Sequence, residues 1–543
     1  MDNQRLILLL VFFFSTMMLW DAWQRKDQPP AAAQVAATAA PASGTSGTAG
    51  DAAVPPAPTS SGSVSPAAVP GHAQDAAAAP TMTVRTDLVV AEISARGGDL
   101  VRLELLKHKT TGKADQNFLL IDPAHAYAAQ SGLIGTGLPN HKSTWTLPAD
   151  KLALQAGTDE LRVPLEAVLP DGGKVVKTYV FRRGSYLVDV EHAVAGATLP
   201  AGAHAYFQLT RDDKAPEGAN AMMSTFTGAA IYTDQDKFKK VDFKLFGEKG
   251  KYPTTADNGW VALVQHYFFS AWIPAAGERE YFTRKLDGNL FAAGVVLPLT
   301  GDKLSVPLYA GPQEQDKLDA IAPGLSLVVD YGWLTFIAAP LFWVLEWIHK
   351  FVGNWGWSII LLTVLIKAAF FPLSAASYKS MAKMRVLTPK LMKLKETYAD
   401  DRARMNQEMM ELYKKEKVNP LGGCLPILVQ IPVFIALYWV LLGTVEMRGA
   451  PWLGWITDLS AMDPYYVMPL IMGVTMFLQT KLNPTPPDPM QAKIMLWMPV
   501  AFTFMFLWFP SGLVLYWIVN NVLSIAQQWQ VNRMIESAGL KAH

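Results

Sequence analysis

The chain has a single cysteine, Cys424, so no intrachain disulfide can form and no thiolate cluster can hold a metal. Charge is scarce too. Only 17% of the 543 residues are charged, against roughly a quarter in soluble domains, while 51% are hydrophobic. Part of the chain is therefore expected to sit in lipid. The net charge of +1 points to no acidic partner, and no nucleic-acid specificity is expected. The nine histidines are scattered and none falls in an H-E-x-x-H pattern. Neither a G-x-x-x-x-G-K-[ST] loop nor a G-x-S-x-G elbow occurs. These absences argue against an ATPase, a zinc hydrolase or a serine hydrolase of the common types, and no cofactor is expected.

What is present changes texture along the chain. An apolar run over residues 6–23 opens it. Ala31-Ala32-Ala33 would suit a signal-peptide cleavage site, but it lies more than ten residues past the run. An uncleaved signal anchor over residues 1–26 fits better. Residues 27–80 are Ala, Pro, Gly, Ser and Thr with almost no large apolar side chain. They cannot bury enough surface to offset ordering, and read as a flexible tether.

Residues 81–325 carry short alternating runs separated by turn dipeptides. Tyr186, Val188, Val190 and Val194 share one face of a strand, with Asp189 and Glu191 on the other. Arg183-Gly184 and Asp287-Gly288 mark turns, and Leu304, Val306 and Leu308 alternate before Gly311-Pro312. This predicts an all-β domain of two packed sheets. Its aromatic residues Trp260, Tyr267, Phe268, Phe269 and Trp272 could line a sugar or peptide groove, or simply form the core.

The rest predicts helices in and on a membrane. Residues 326–353 are apolar but interrupted by Pro340, Glu346, His349 and Lys350, which predicts an amphipathic helix lying in the interface. Five runs of spanning length follow in residues 354–535: about 355–373, 421–445, 465–479, 494–509 and 512–531. The third and fourth are short for a hydrocarbon core of about 30 Å, which implies local thinning or a few added residues. With the anchor the count is six spans, and both termini share one side. Residues 377–420 carry eleven Lys or Arg against six acids, whereas residues 447–464 have a net charge of −1. The positive-inside rule puts the first loop in the cytoplasm and the β-domain outside. Residues 536–543 form a short tail; only Arg533 and Lys541 are cationic after Asn532, which argues against ribosome binding through a basic tail.

Lys367 is the sharpest single feature. It lies six residues before the end of the run over 355–373, a depth of about 9 Å. A lone cation inside a membrane costs about 2.5–3.5 kcal/mol on insertion scales at the helix centre, less near the edge. No Asp or Glu falls within the five runs. The ammonium could snorkel to the headgroups, or face a water-filled groove. Thr363 and Ser374 at helical spacing from Lys367 favour the groove, as do Tyr516, Asn520, Ser524 and Gln527 in the last run and Gln430 in the second. In the basic loop, Met384, Leu387, Leu391, Leu394 and Tyr398 follow a heptad seam that Met405, Met409 and Leu412 continue. An antiparallel helical hairpin is predicted, its first arm broken at Pro389 unless Thr388 caps a restart. Sixteen of the 22 methionines lie at or after Met381. Methionine adapts to varied apolar partners, so Met384, Leu391, Met405 and Met409 are candidate contact residues for incoming segments. The alternative is that they pack the hairpin.

Three stretches carry a family resemblance: Asn419-Pro420-Leu421-Gly422-Gly423-Cys424-Leu425-Pro426, Asp463-Pro464-Tyr465-Tyr466, and Phe509-Pro510-Ser511-Gly512-Leu513-Val514-Leu515-Tyr516. Together they resemble the YidC membrane insertases of Gram-negative bacteria, over essentially the whole chain. The resemblance implies an α-helical polytopic membrane protein with six transmembrane helices and a five-helix insertase core. It also implies an all-β periplasmic domain, a β-supersandwich. It further implies a hydrophilic groove open to the cytoplasm and to lipid, holding a cation that is usually arginine and is Lys367 here. Function would be insertion without nucleotide hydrolysis. The implied partners are nascent membrane proteins, Sec translocon components, the translating ribosome and the lipid bilayer. Two rival readings are a secondary transporter using Lys367, which the lack of an internal repeat opposes, and an envelope protein whose β-domain binds glycan.

Overall fold

A computed structural model describes residues 79–537, apart from 111–112, 197–198, 201, 217–225, 247–253, 330, 399–400, 417–424 and 483–488. The expected anchor, most of the tether, the Gly-Gly-Cys motif and the end of the tail lie outside the described residues.

Two large sheets pack face to face, as the alternating runs predict. One runs from Thr254–Ala256 at an edge through Arg279–Leu286, Leu290–Pro298, His204–Asp212, Ala128–Ile134, Leu100–Thr110, Val89–Ser94 and Thr81–Arg85 to Lys151–Ala153. Lys113–Ile121 pairs with Leu100–Thr110 off this path. The other runs from Lys237–Val241 through Thr227–Thr233, Trp260–Gln265, Phe268–Trp272, Lys303–Pro312, Leu187–Ala195 and Lys174–Arg182 to Glu160–Val168. Along Leu187–Ala195 the alternation holds. Val188, Val190 and Val194 enter the core between the sheets, while Asp189 pairs with Arg182 and Glu191 with Arg162 and Lys303 on the outside. Gly288 and Asn289 both take positive φ in the three-residue loop between the paired Leu286 and Leu290. Trp260, Tyr267, Phe268, Phe269 and Trp272 are all buried; they are core rather than an open groove.

Burial also makes this domain acid-sensitive. It holds the imidazoles of His108 and His266 down to about 4 and that of His141 to about 3, and it lowers His192 well below the ordinary range. In the unfolded chain each titrates near 6.5. The neutral forms therefore stabilise the fold fully above about pH 6.5, and that stability is lost as pH falls toward 4. Asp99, pushed up to about 7 by burial, and Glu280, also raised by burial, act with the opposite sign, two groups against four. The melting temperature of the β-domain, followed by tryptophan fluorescence of the full chain, should fall by about 10 °C between pH 7 and pH 4.5. A flat profile over that interval would show that the histidines ionise freely in the fold.

The helices follow: α1 (Gln315–Ile321), α2 (Thr335–Val352), α3 (Trp355–Ala369), α4 (Phe371–Thr397), α5 (Arg402–Lys415), α6 (Leu425–Gly443), α7 (Val467–Leu482), α8 (Pro489–Phe506) and α9 (Ser511–Ser537). One expectation needs correction here. Pro340 does not interrupt α2, which runs through it. Glu346, His349 and Lys350 lie together on one side of the helix. Ala338, Phe342, Leu345 and Ile348 are buried, and Phe336, Trp343, Trp347 and Phe351 are exposed on the other side. Its charged residues turn to one another and to α1, with Lys350 at 2.7 Å from Glu346 and 3.7 Å from Asp316. Among the described residues, the segment Gly332–Val352 is the one continuous helix that is long and apolar enough to cross a membrane. The bent pair α3 and Phe371–Ser380 can count as a second, while 429–443, Val467–Leu482 and Ala492–Phe506 are shorter apolar helices.

The run expected over 355–373 is two helices, meeting at an angle of 60° around Phe370. Conversely, Pro389 lies inside α4 without ending it. The remaining two motifs meet in space. Asp463 is buried; it accepts from Trp455 Nε1 at 2.9 Å, from Tyr465 N at 3.0 Å and from Met468 N at 2.7 Å, and so caps the start of α7. Ser511 N donates to Ala461 O at 2.7 Å and Gly512 N to Leu459 O at 2.9 Å. A Cβ on Gly512 would stand 3.2 Å from that Leu459 oxygen, so the close approach of the two loops favours glycine.

Candidate functional site

The last helix, α9, is the hub: it packs against α3, α4, α6 and α7. Lys367 sits in the last turn of α3, two residues before its end, where a cation complements the helix dipole. It is 8% exposed. Its Nζ donates to Ser524 Oγ of α9 at 2.7 Å, and Ser524 Oγ donates on to Asn520 O at 2.7 Å. Gln527 Nε2 reaches back to Lys367 O at 3.3 Å, covering a carbonyl that the helix end leaves open. Tyr378 of α4 donates to Ser524 O at 3.5 Å. Among the described residues no carboxylate pairs with Lys367. An ammonium offers three donors, and Ser524 takes one.

Tyr516 is buried and its ring stacks on Phe434 of α6 at 5.9 Å. Gln430 lies one turn before Phe434, and Asn520 one turn after Tyr516. Both are half-buried. The contacts Phe434–Tyr516 and Tyr438–Phe509 run in opposite order along the two segments, so α6 and α9 are antiparallel and Gln430 lies toward the Asn520 end of α9. Thr363 is buried too, but its hydroxyl is used within its own helix, donating to Ile359 O at 2.6 Å. Ser374 does not continue the face of Thr363 and Lys367, because it lies beyond the bend at Phe370.

A second polar stripe on α9 is absent from the expectations above. Asn521 Nδ2 donates to Thr475 Oγ1 at 3.2 Å and Gln528 Nε2 to Leu482 O at 3.1 Å, both onto α7. The doublets Asn520-Asn521 and Gln527-Gln528, seven residues apart, were its signal. One member of each doublet faces the lysine side and the other faces α7.

The basic loop does form a helical hairpin, α4 against α5. Leu387 and Leu391 are buried in its seam, with Met384, Met409, Leu412 and Tyr413 packed on them. Met384, Leu391 and Met409 thus pack the hairpin, as the second of the two readings has it. Met405 is half-buried, while Met392 and Met410 are exposed. Asp401 caps α5 by accepting from Arg404 N at 3.0 Å, and Lys390 pairs with Glu416 at 2.6 Å across the arms.

Comparison with known proteins matches residues 81–344 to the YidC periplasmic domain and residues 347–538 to the 60Kd inner membrane protein family. The membrane protein insertase YidC of Aromatoleum aromaticum is 60% identical over 99% of this chain and 98% of its own length. That of Dechloromonas aromatica is 58% identical over 100% and 99%. A solved active YidC insertase with its first transmembrane domain resolved covers 82% of this chain and 94% of its own, at 18% identity and a TM-score of 0.39. These matches run the length of both structural parts, the two-sheet domain and the helices around α9, and the chain belongs to the YidC family of inner-membrane protein insertases, which is not a family of enzymes.

Proposed function

We propose that the seam between α3, α6 and α9 is the lining of a hydrophilic groove that receives nascent hydrophobic segments and releases them into the bilayer. One observation carries this reading. Lys367 is enclosed among helices of a membrane protein with no carboxylate partner among the described residues, held by a serine hydroxyl that a client could displace. An unpaired buried cation is costly unless it serves a negative group that comes and goes. A short acidic or polar tail would be drawn to Lys367, and the following apolar segment would partition outward into lipid, driven by burial. At 16 and 18 residues, α7 and α8 span about 24 and 27 Å, short of a hydrocarbon core of about 30 Å. Local thinning would lower the barrier for the polar tail.

In this reading the insertase core has five spans, and a sixth lies in residues 1–26. Both termini and the basic hairpin are cytoplasmic, and residues 27–330 are periplasmic. The protein acts as insertase and chaperone, alone or beside Sec translocon components, on chains delivered by the translating ribosome. A photo-crosslinker at Gln430, Tyr516 or Asn520 should capture a stalled nascent membrane protein, with little adduct at exposed Trp497 of α8. Failure to obtain an adduct at any of the three would sink the groove reading.

A further inference from the structure

The periplasmic β-domain and the helical part meet at the turn that follows α6. Val445 is 2% exposed and belongs to the hydrophobic core between the two sheets, although it comes from the helical region. Met447, two residues on, enters the neighbouring cluster formed with the helices. Next to it, the Arg448 guanidinium lies over three rings of the β-domain, 5.1 Å from Phe118, 5.2 Å from Phe268 and 5.6 Å from Tyr267. Phe118 and Phe268 are themselves stacked at 4.1 Å. Arg448 Nη2 also donates to Lys109 O. From the other side, His266 Nε2 lies 3.2 Å from Leu442 O in the last turn of α6, a carbonyl that the helix end leaves without an internal partner.

We propose that Val445 and Arg448 form a latch that fixes the orientation of the β-domain on the end of α6. The physical case has two parts. A domain interface within one chain is mobile by default unless it is substantially hydrophobic. Here the loop donates a side chain to the interior of the domain it touches. A guanidinium over aromatic faces is attracted more strongly when water is excluded, and arginine suits this better than lysine because its planar group stacks while its edge still donates. Among the described residues no carboxylate lies within ion-pair distance of Arg448; the rings and a carbonyl hold it at contact, and Asp458 attracts it from farther off. The same helix, α6, carries Gln430, so the latch sets where that helix ends relative to the domain. The proposal stands whether or not Gln430 lines a groove.

The test uses the full chain in lipid nanodiscs, with Cys424→Ser as background. Spin labels go on Val168→Cys, at an exposed edge strand of the β-domain, and on Tyr465→Cys, at the exposed start of α7. The parent should give one narrow distance distribution. Arg448→Ala should at least double its width, and Arg448→Lys, which keeps the cation over the rings, should broaden it less. An unchanged width in Arg448→Ala overturns the latch. The β-domain's own melting transition should stay put, because Arg448 lies outside that domain; a broad distribution accompanied by loss of the transition would mean unfolding, and would also overturn the latch. If Arg448→Ala does not accumulate, Arg448→Met, which retains the apolar stem, is measured in its place with the same two outcomes.

Discussion

Lys367→Glu is expected to lower insertion of a client with an acidic N-terminal tail at least tenfold, while Lys367→Arg stays within about threefold of the parent. Two unit charges at 4 Å attract by about 4 kcal/mol at an effective dielectric constant of 20. Reversing one sign replaces attraction by repulsion, so the swing is larger still. Water near the cation would screen part of this, but about 1.4 kcal/mol suffices for a tenfold change. Arginine keeps the charge and can still donate to Ser524, whose oxygen accepts from the ammonium at 2.7 Å. Lysine is a compact point charge and arginine a planar fork; a role that tolerates both is electrostatic, and one that tolerates only the resident lysine depends on shape. Lys367→Met separates loss of charge from its reversal and should fall between the two. Protease protection of the translocated tail in proteoliposomes measures all three. Equal insertion by Lys367→Glu and Lys367→Arg would end the electrostatic role. Ser524→Ala should cost less than any of them, because the cation remains.

The division into a β-domain and a helical region was readable from the change of period near residue 325. Strand faces were readable wherever alternation was clean, as in Leu187–Ala195. The bend after Ala369 was not, because the residues around it are uniformly apolar and no glycine marks it. Its signal was Pro372, since a proline disfavours helical backbone just before it and is at home in a helix's first turn. Pro389 failed as a breaker for the opposite reason: packing on α5 holds α4 together through it. The charged residues of α2 looked like one face of an amphipathic helix, and only the fold shows that Asp316 of α1 takes Lys350.

At the candidate site, residue type was legible and geometry was not. Lys367, Ser524 and Gln527 were each visible as polar groups in apolar runs, but spacing alone could not show that they bond to one another across two helices. The methionine-rich seam was legible as a heptad and ambiguous in purpose; burial of Leu387 and Leu391 decides for packing. Asp463 and the Phe509–Gly512 stretch were recognisable by resemblance alone. Their physical reason, a capped helix start locked against a neighbouring loop, is a contact between segments some fifty residues apart, for example from Ser511 to Ala461.

Lys177→Ala should destabilise the β-domain by about 3–5 kcal/mol, a large share of the roughly 5–15 kcal/mol that holds a typical domain together. Lys177 occupies an inward position of Lys174–Arg182, between Val175 and Tyr179, and is completely buried. Its Nζ donates to Gly97 O at 2.7 Å, Ser131 O at 2.9 Å and Gly98 O at 3.3 Å, lies 3.7 Å from Asp99, and sits 5.0 Å over the Trp145 ring. Burial pushes Lys177 down to about 8 and Asp99 up to about 7, so each is drawn toward its neutral form in spite of the other. Three carbonyls around one nitrogen nonetheless demand three donors, which only the ammonium has. Truncation would remove a donor from Gly97 O, Ser131 O and Asp99 (Gly98 O keeps Tyr179 Oη at 2.6 Å) and open a cavity the length of the lysine stem, and both effects destabilise. Lys177→Met combined with Asp99→Asn restores the volume and removes both charges, so it should recover most of the loss. Urea unfolding of the full chain in detergent, followed by the fluorescence that Trp145 contributes, distinguishes the variants. A midpoint for Lys177→Ala equal to the parent's would mean that the buried ammonium and its carbonyls add nothing to the fold. A double variant as weak as Lys177→Ala would trace the loss to the specific hydrogen bonds rather than to an orphaned charge.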